Sequence, residues 1–260
     1  MSFEPVVLGR TGFKVGRLGL ASSYGVPADA VEEAVDRGIN YLFWGSIRRP
    51  GMSEGIKRVV KKDRNKIFLC LQTYHRWIGF ARRSIEKGLR ILGLDYADVL
   101  LLGFYNKRPS QRLLDLALSL KEQGKIRFIG LSTHRRRLIP ELAQDKTFDL
   151  FHIRYNAAHR GAEIDIFPDI PSDNGPGIVS FTATSWRQLL NPKKIPSGEK
   201  IPTAMDCYRF VLSHPAVHCC IAAPKNLQEA REDLKALELG PMTPEELAWM
   251  RRVGDGVYGK

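Results

Sequence analysis

Eight short apolar runs alternate with eight amphipathic stretches along this chain, and that alternation constrains its fold more than any other feature. The apolar runs fall at 17–21, 40–44, 67–72, 98–102, 127–132, 150–155, 178–182 and 217–222. Their length and their bounding turn residues are those of strands buried on both faces. Between them, the spacing predicts helices near 27–37, 53–62, 79–92, 109–123, 135–143, 162–168, 203–213 and 226–236. The fourth carries a strong leucine stripe and stops at Gly124, while Gly38 and Gly93 mark other helix ends.

Strict strand-then-helix order implies a parallel sheet with both faces covered. Eight such units close into an α/β (β/α)8 TIM barrel, and 260 residues with 43% hydrophobic content suit a single barrel domain over 1–260. An open doubly wound sheet needs fewer units and usually a glycine-rich first turn, and no G-x-G-x-x-G follows a strand here. An extra C-terminal helix is expected near 243–252, started by a capping box of Thr243 and Glu246. The irregular stretch 183–202 is long for a spacer in a compact domain and is expected to be a functional cover.

No apolar run approaches the ~18 residues that span a bilayer, so no membrane partner is expected. The N-terminus does not look like a leader, and a cytoplasmic location is expected. Cys70, Cys219 and Cys220 lie in apolar runs, which fits free thiols in a reducing compartment. His214, His218, Cys219 and Cys220 cross a helix end, a proline and a strand, so packing is expected there and no metal.

The formal net charge is +12. Loops after the strands, which form the active face of such a barrel, carry Arg48, Arg49, His75, Arg76, Arg135, Arg160, Arg187, Lys193, Lys194 and Lys225, among others. Clustering on one rim favours an anionic small molecule, with nucleotide phosphates the first candidate. A nucleic-acid role rests on charge alone and ranks last.

Several segments resemble the aldo-keto reductases. Gly38-Ile39-Asn40 and Ser53-Glu54 are similar to the two ends of a family signature, and Leu8 to Val15 resembles its N-terminal β-hairpin. Leu94-Asp95-Tyr96-Ala97-Asp98, Gly124-Lys125-Ile126-Arg127-Phe128-Ile129-Gly130-Leu131-Ser132, Arg154-Tyr155-Asn156 and Gly177 to Phe181 match in order. The resemblance covers nearly the whole chain and implies an NAD(P)H-dependent carbonyl reductase. In that family a Tyr acid works with an Asp, a Lys and a His, because a phenol of pKa ~10 releases its proton reluctantly at neutral pH.

Carried over position by position, the Asp becomes Phe43, the Tyr Arg48, the Lys Gln72 and the His Gly103. Ordinary carbonyl reduction is therefore expected to be absent or very slow. Tyr74 with His75 or Arg48 is the candidate replacement acid, and Gln72 stands beside them. Trp44 is expected either in the outer core or at the ligand.

The resemblance implies that Ser132, Thr133 and His152 stand where the family holds the nicotinamide amide, with Phe181 as the stacking ring. Imidazole offers one hydrogen bond per nitrogen and cannot mimic both ends of an amide. Lys225 fits the 2′-phosphate of NADP, and Glu229 and Asp233 fit the adenine edge. Pro224 removes a backbone donor where phosphate would want one, which implies a weakened site. The expectations are an oxidoreductase with a rearranged acid, a catalytically silent nucleotide- or anion-binding barrel, or a barrel retasked to non-redox chemistry.

Overall fold

A computed structural model describes residues 2–45, 48–171 and 173–259. Eight parallel strands close into a barrel: β3 (Leu18–Ala21), β4 (Tyr41–Trp44), β5 (Phe68–Thr73), β6 (Ala97–Leu102), β7 (Ile126–Ser132), β8 (Leu150–Arg154), β9 (Gly177–Phe181) and β10 (Cys219–Ala222), which pairs back to β3. Before them, β1 (Val6–Val7) and β2 (Lys14–Val15) form an antiparallel hairpin. Each strand ends within two residues of its sequence expectation. Helices α1 (Ala28–Asp36), α2 (Pro50–Lys62), α3 (Ile78–Leu92), α4 (Gln111–Glu122), α5 (Leu138–Ala143), α6 (Ala162–Asp165), α7 (Ala204–Leu212) and α8 (Leu227–Leu239) lie between and after the strands. Helix α2 begins earlier than expected because Pro50 is pre-set for a first helical position.

Alternation along each strand divides the core in two. Tyr41, Phe68, Cys70, Val99, Leu101, Leu150 and Val179 fill the barrel interior, and Leu8 and Val15 of the hairpin end close it from below. Leu42, Trp44, Leu69, Leu71, Leu100 and Leu102 point outward into the layer shared with the helices. Trp44 is thus outer-barrel core.

The base of the barrel is held by side chains that satisfy backbone groups. Buried Asp98 accepts from the Leu69 N–H at 2.8 Å, from Arg64 at 2.7 Å and from Arg127 at 3.1 Å, joining three strands. Asp149 accepts from the Ile129 N–H at 2.8 Å, and Asn40 bonds Gly16 N–H and Lys14 C=O. Arg17 caps three carbonyls before β10.

Helix α9 (Pro244–Tyr258) is longer than expected and starts with the foreseen Thr243–Glu246 capping box. It continues through Gly254, where any Cβ would overlap the Ala157 carbonyl, so the glycine permits close approach rather than ending the helix. The 183–202 stretch is irregular apart from short 3₁₀ turns, and its second half is tied to α9 by Trp249 to Lys200 C=O and by Arg252 to Glu199. All four cysteines are free and buried. His218 Nδ1 accepts from the Ile178 N–H, and His214 packs on Phe167. No helix among the described residues is long and apolar enough to cross a membrane.

Candidate active site

A cleft of about 790 Å³ opens where the strands end, bordered by the loops after β3, β5, β6, β7, β9 and β10. Its floor gathers Phe43, Gln72 and the space beside Gly103. Phe43 and Gln72 point inward, and a Cβ at Gly45 would lie 3.2 Å from Gln72 Oε1. At Gly103 a Cβ would meet Gln72 Nε2 and the Tyr74 ring, both at 2.6 Å, so those two side chains occupy the space beside Gly103. Gln72 Oε1 is buried with no partner among the described residues.

Arg48 is not at the cleft. Its guanidinium lies 4.8 Å from the Trp44 ring and donates to the carbonyls of Gln72 and Ser84, each at 3.3 Å. Burial lowers its pKa. His75 also turns away, its ring against Phe80, whereas Tyr74 borders the cleft. The structure therefore separates Tyr74 from both of its expected helpers.

One wall is a stack of rings. Tyr74 stacks on Phe104 at 5.3 Å, Phe104 on His134 at 4.8 Å, and Phe181 meets His134 edge-on. Burial, then the charge of Arg154, keeps the His134 pKa below its ordinary value. Arg76 staples this wall from outside, donating to the Tyr74, Gly103 and Phe104 carbonyls with its guanidinium over Tyr105. Phe104 holds φ +48, a rare conformation for a bulky residue. Phe104, His134, Thr182, Trp186 and Tyr208 border the cleft without having been singled out from sequence. The available signal was position, since Phe104 and His134 follow strand ends directly.

Ser132, the last residue of β7, is in register with His152 midway along β8, and both border the cleft with Phe181. His152 is 2% exposed, and burial drives its pKa down to about 3. Thr133 is next to this group but belongs elsewhere: its Oγ1 accepts from the Arg135 N–H, and it borders a separate small pocket.

Beyond Phe181, Thr182 (φ +60), Ser185, Trp186 and Arg187 all adopt left-handed backbone. Thr182 Oγ1 is buried and without a partner among the described residues. Glu229, Glu232 and Asp233 border the far end of the cleft. Burial first, then the Glu229 charge, pushes the Asp233 carboxyl up to about 7, and Tyr208 donates to it at 3.4 Å. Burial raises Glu229, but the Lys225 amide and ammonium and the Arg187 guanidinium outweigh it and hold that carboxyl below its usual range. Lys225 is bound to Glu229 through Nζ at 3.1 Å and does not itself border the cleft.

The cationic rim is largely tethered. Arg136 pairs with Asp165, Arg160 with Asp255 and Arg187 with Glu229, while Arg49 and Arg135 donate to backbone carbonyls. Of the rim cations foreseen from sequence, Arg187 borders the cleft.

Known proteins share this architecture. The Bacillus subtilis (strain 168) protein named uncharacterized oxidoreductase YqkF is 22% identical over 272 residues, covering 90% of this chain and 89% of its own. L-galactose dehydrogenase of Arabidopsis thaliana is 28% identical over 233 residues, covering 76% and 71%. Among solved structures, the aldo-keto reductase AKR11C1 from Bacillus halodurans (holo form) superposes with a TM-score of 0.77 at 22% identity, covering 96% of each chain. An aldo/keto reductase from Klebsiella pneumoniae in complex with NADP and acetate gives 0.76 at 21%, covering 95% and 94%. The Aldo/keto reductase family matches residues 7–203. With the closed barrel and its end-of-strand cleft, that match makes this chain a member of the aldo/keto reductase family.

Proposed function

We propose that this chain is a nicotinamide-nucleotide-binding aldo/keto reductase barrel, taking NADP(H), in which ordinary carbonyl reduction is absent or very slow. One observation carries this: the cleft stays open at about 790 Å³ while its floor is Phe43, Gln72 and Gly103, with Arg48 facing outward. A catalytically silent barrel that senses or carries the nucleotide follows from the same observation. A nicotinamide held there would be the group able to supply or accept hydride.

The cleft's own residues fit such a ligand. Ser132, His152 and Phe181 would hold the nicotinamide, and the unpartnered Gln72 Oε1 and Thr182 Oγ1 offer hydrogen bonds that only a ligand or water can complete. Glu229 and Asp233 would meet the adenosine end, with Lys225 drawn toward a 2′-phosphate in competition with its pairing to Glu229. Free buried thiols support a cytoplasmic setting.

A second reading, an oxidoreductase with a relocated acid, is favoured by Tyr74, whose ring borders the cleft beside Gly103. Non-redox chemistry on Tyr74, His75 and the rim arginines has less support, because His75 and most of those arginines are engaged elsewhere.

Titration of NADPH and NADH against tryptophan fluorescence tests the cofactor, since Trp186 borders the cleft. We expect saturable quenching by NADPH and no measurable oxidation of it with simple aldehydes. Turnover abolished by Tyr74→Phe would install the second reading in place of the silent one. Turnover that survives Tyr74→Phe would defeat both, and no binding at millimolar nucleotide would remove the cofactor.

A further inference from the structure

His152 lies where the cleft meets the barrel core, and one edge of its ring is committed below. Nε2 is 2.6 Å from the Tyr41 hydroxyl and 3.9 Å from Cys70 Sγ. The ring also packs on Phe43 at 5.2 Å and on Tyr41 at 5.8 Å, which fixes its plane. Among the described residues the hydrogen-bond contacts of the ring are made at Nε2, and the ring borders the cleft. Tyr41 itself is fully buried.

The direction of the short bond follows from the acceptors available to the phenol. Imidazole nitrogen is a strong acceptor and a thiol sulfur a weak one. If Nε2 carried the proton, the fully buried Tyr41 hydroxyl would have only the weak acceptor Cys70 Sγ to receive its hydrogen. If Tyr41 donates to Nε2, the phenol is satisfied and the imidazole proton must sit on Nδ1. The partner of one ring nitrogen thus sets the tautomer seen by the other. Burial that keeps the imidazole neutral removes the doubly protonated form from consideration.

We propose that Tyr41 locks His152 in the Nδ1–H tautomer, making it a donor-only contact for the carboxamide oxygen of a nicotinamide held in the cleft. The ligand named here rests on the nucleotide reading above, whereas the lock rests on the barrel core alone. A donor-only contact grips the carbonyl and gives the amide NH2 no acceptor at position 152, leaving it to water. This cleft would therefore tolerate loss of that NH2, which an amide side chain at 152 would not. Tyr41 is a positioning residue, acting through His152.

Two measurements test it. Long-range ¹H–¹⁵N correlation on the wild-type protein assigns the His152 tautomer directly: Nδ1–H is expected, and Nε2–H would overturn the lock. Affinities for NADP and its 3-acetylpyridine analogue, which keeps the carbonyl and lacks the NH2, are expected to agree within about twofold in the wild type. His152→Gln, able to accept as well as donate, should open a preference for NADP of roughly 2- to 10-fold, the range of one neutral hydrogen bond. Tyr41→Phe should give a mixed tautomer population and a smaller preference of the same sign. A wild-type protein that already discriminates tenfold against the analogue would overturn donor-only recognition even with the tautomer as expected. Failure of both nucleotides to bind would overturn the assigned ligand together with the nucleotide reading, and the spectrum would still decide the lock.

Discussion

The two ends of this barrel are built to different rules. At the base, Asp98, Asp149, Asn40 and Arg17 bond the backbone of neighbouring segments. At the mouth, Gln72 Oε1 and Thr182 Oγ1 have no partner among the described residues, and of the six described non-glycine residues with positive φ, five lie in the loops there. At the base the buried nitrogens without a partner are the Nε atoms of Arg10 and Arg64, whose other guanidinium nitrogens are bonded, whereas at the mouth the unpaired oxygens and the strained backbone face a cleft where a ligand can supply the missing interactions. Asn40, Asp98 and Arg127 therefore serve the scaffold and say little about the reaction.

Breaking the base should cost most. Asp98→Ala leaves Arg64 and Arg127 facing an emptied buried site, and a loss of about 3–5 kcal/mol is expected in urea unfolding. A loss below ~1 kcal/mol would erase the contrast between the ends.

Overfilling the mouth comes next. Gly103→Ala places a methyl against Gln72 and Tyr74, with an expected cost of about 1–3 kcal/mol. Tyr74 is partly exposed and can yield, so the cost should shrink in a Tyr74→Ala background, and strict additivity in the cycle would mean that the two do not touch.

Asp233 makes the contrast depend on pH. Its folded pKa of about 7 exceeds the ordinary 3.8, so the folded state holds a proton that the unfolded chain has released. That stabilisation is fully present below about pH 4 and fades as the pH rises through 7, where it levels off. Asp233→Asn should remove this component from the melting-temperature profile. It should also abolish any weakening of NADPH binding as the pH rises through 7, and a profile identical to the wild type would place the titration elsewhere.

The smallest effect has opposite signs in stability and binding. Thr182→Gly relieves a β-branched residue at φ +60 and removes an unpartnered hydroxyl, which should stabilise by up to ~1 kcal/mol after glycine's entropy cost. NADPH affinity should fall several-fold in the same variant. Unchanged affinity would mean that the hydroxyl is idle.

The barrel was legible because strand burial writes itself as apolar runs, and the capping box of α9 because its chemistry is local. The length of α9 was not, since Gly254 is a stop signal until the Ala157 backbone is seen against it. At the site, sequence reached Ser132, His152, Phe181, Glu229 and Asp233, all of which border the cleft. It did not reach the outward turn of Arg48 or the tethering of Lys225, because a side chain's direction depends on partners distant in the chain. The ring wall was hidden for the same reason: Tyr74, Phe104 and His134 come from three separate loops.

The outward Arg48 has a consequence for any redesign of the cleft floor. Its guanidinium holds the Gln72 carbonyl and covers Trp44, while the Gln72 side chain fills space beside Gly103. Arg48 and Gly103 are thus linked through Gln72, which has one of them on its backbone and the other beside its side chain. A side chain introduced at position 103 has to displace Gln72 or Tyr74 before it can reach the cleft, and a displaced Gln72 pulls on the carbonyl that Arg48 holds.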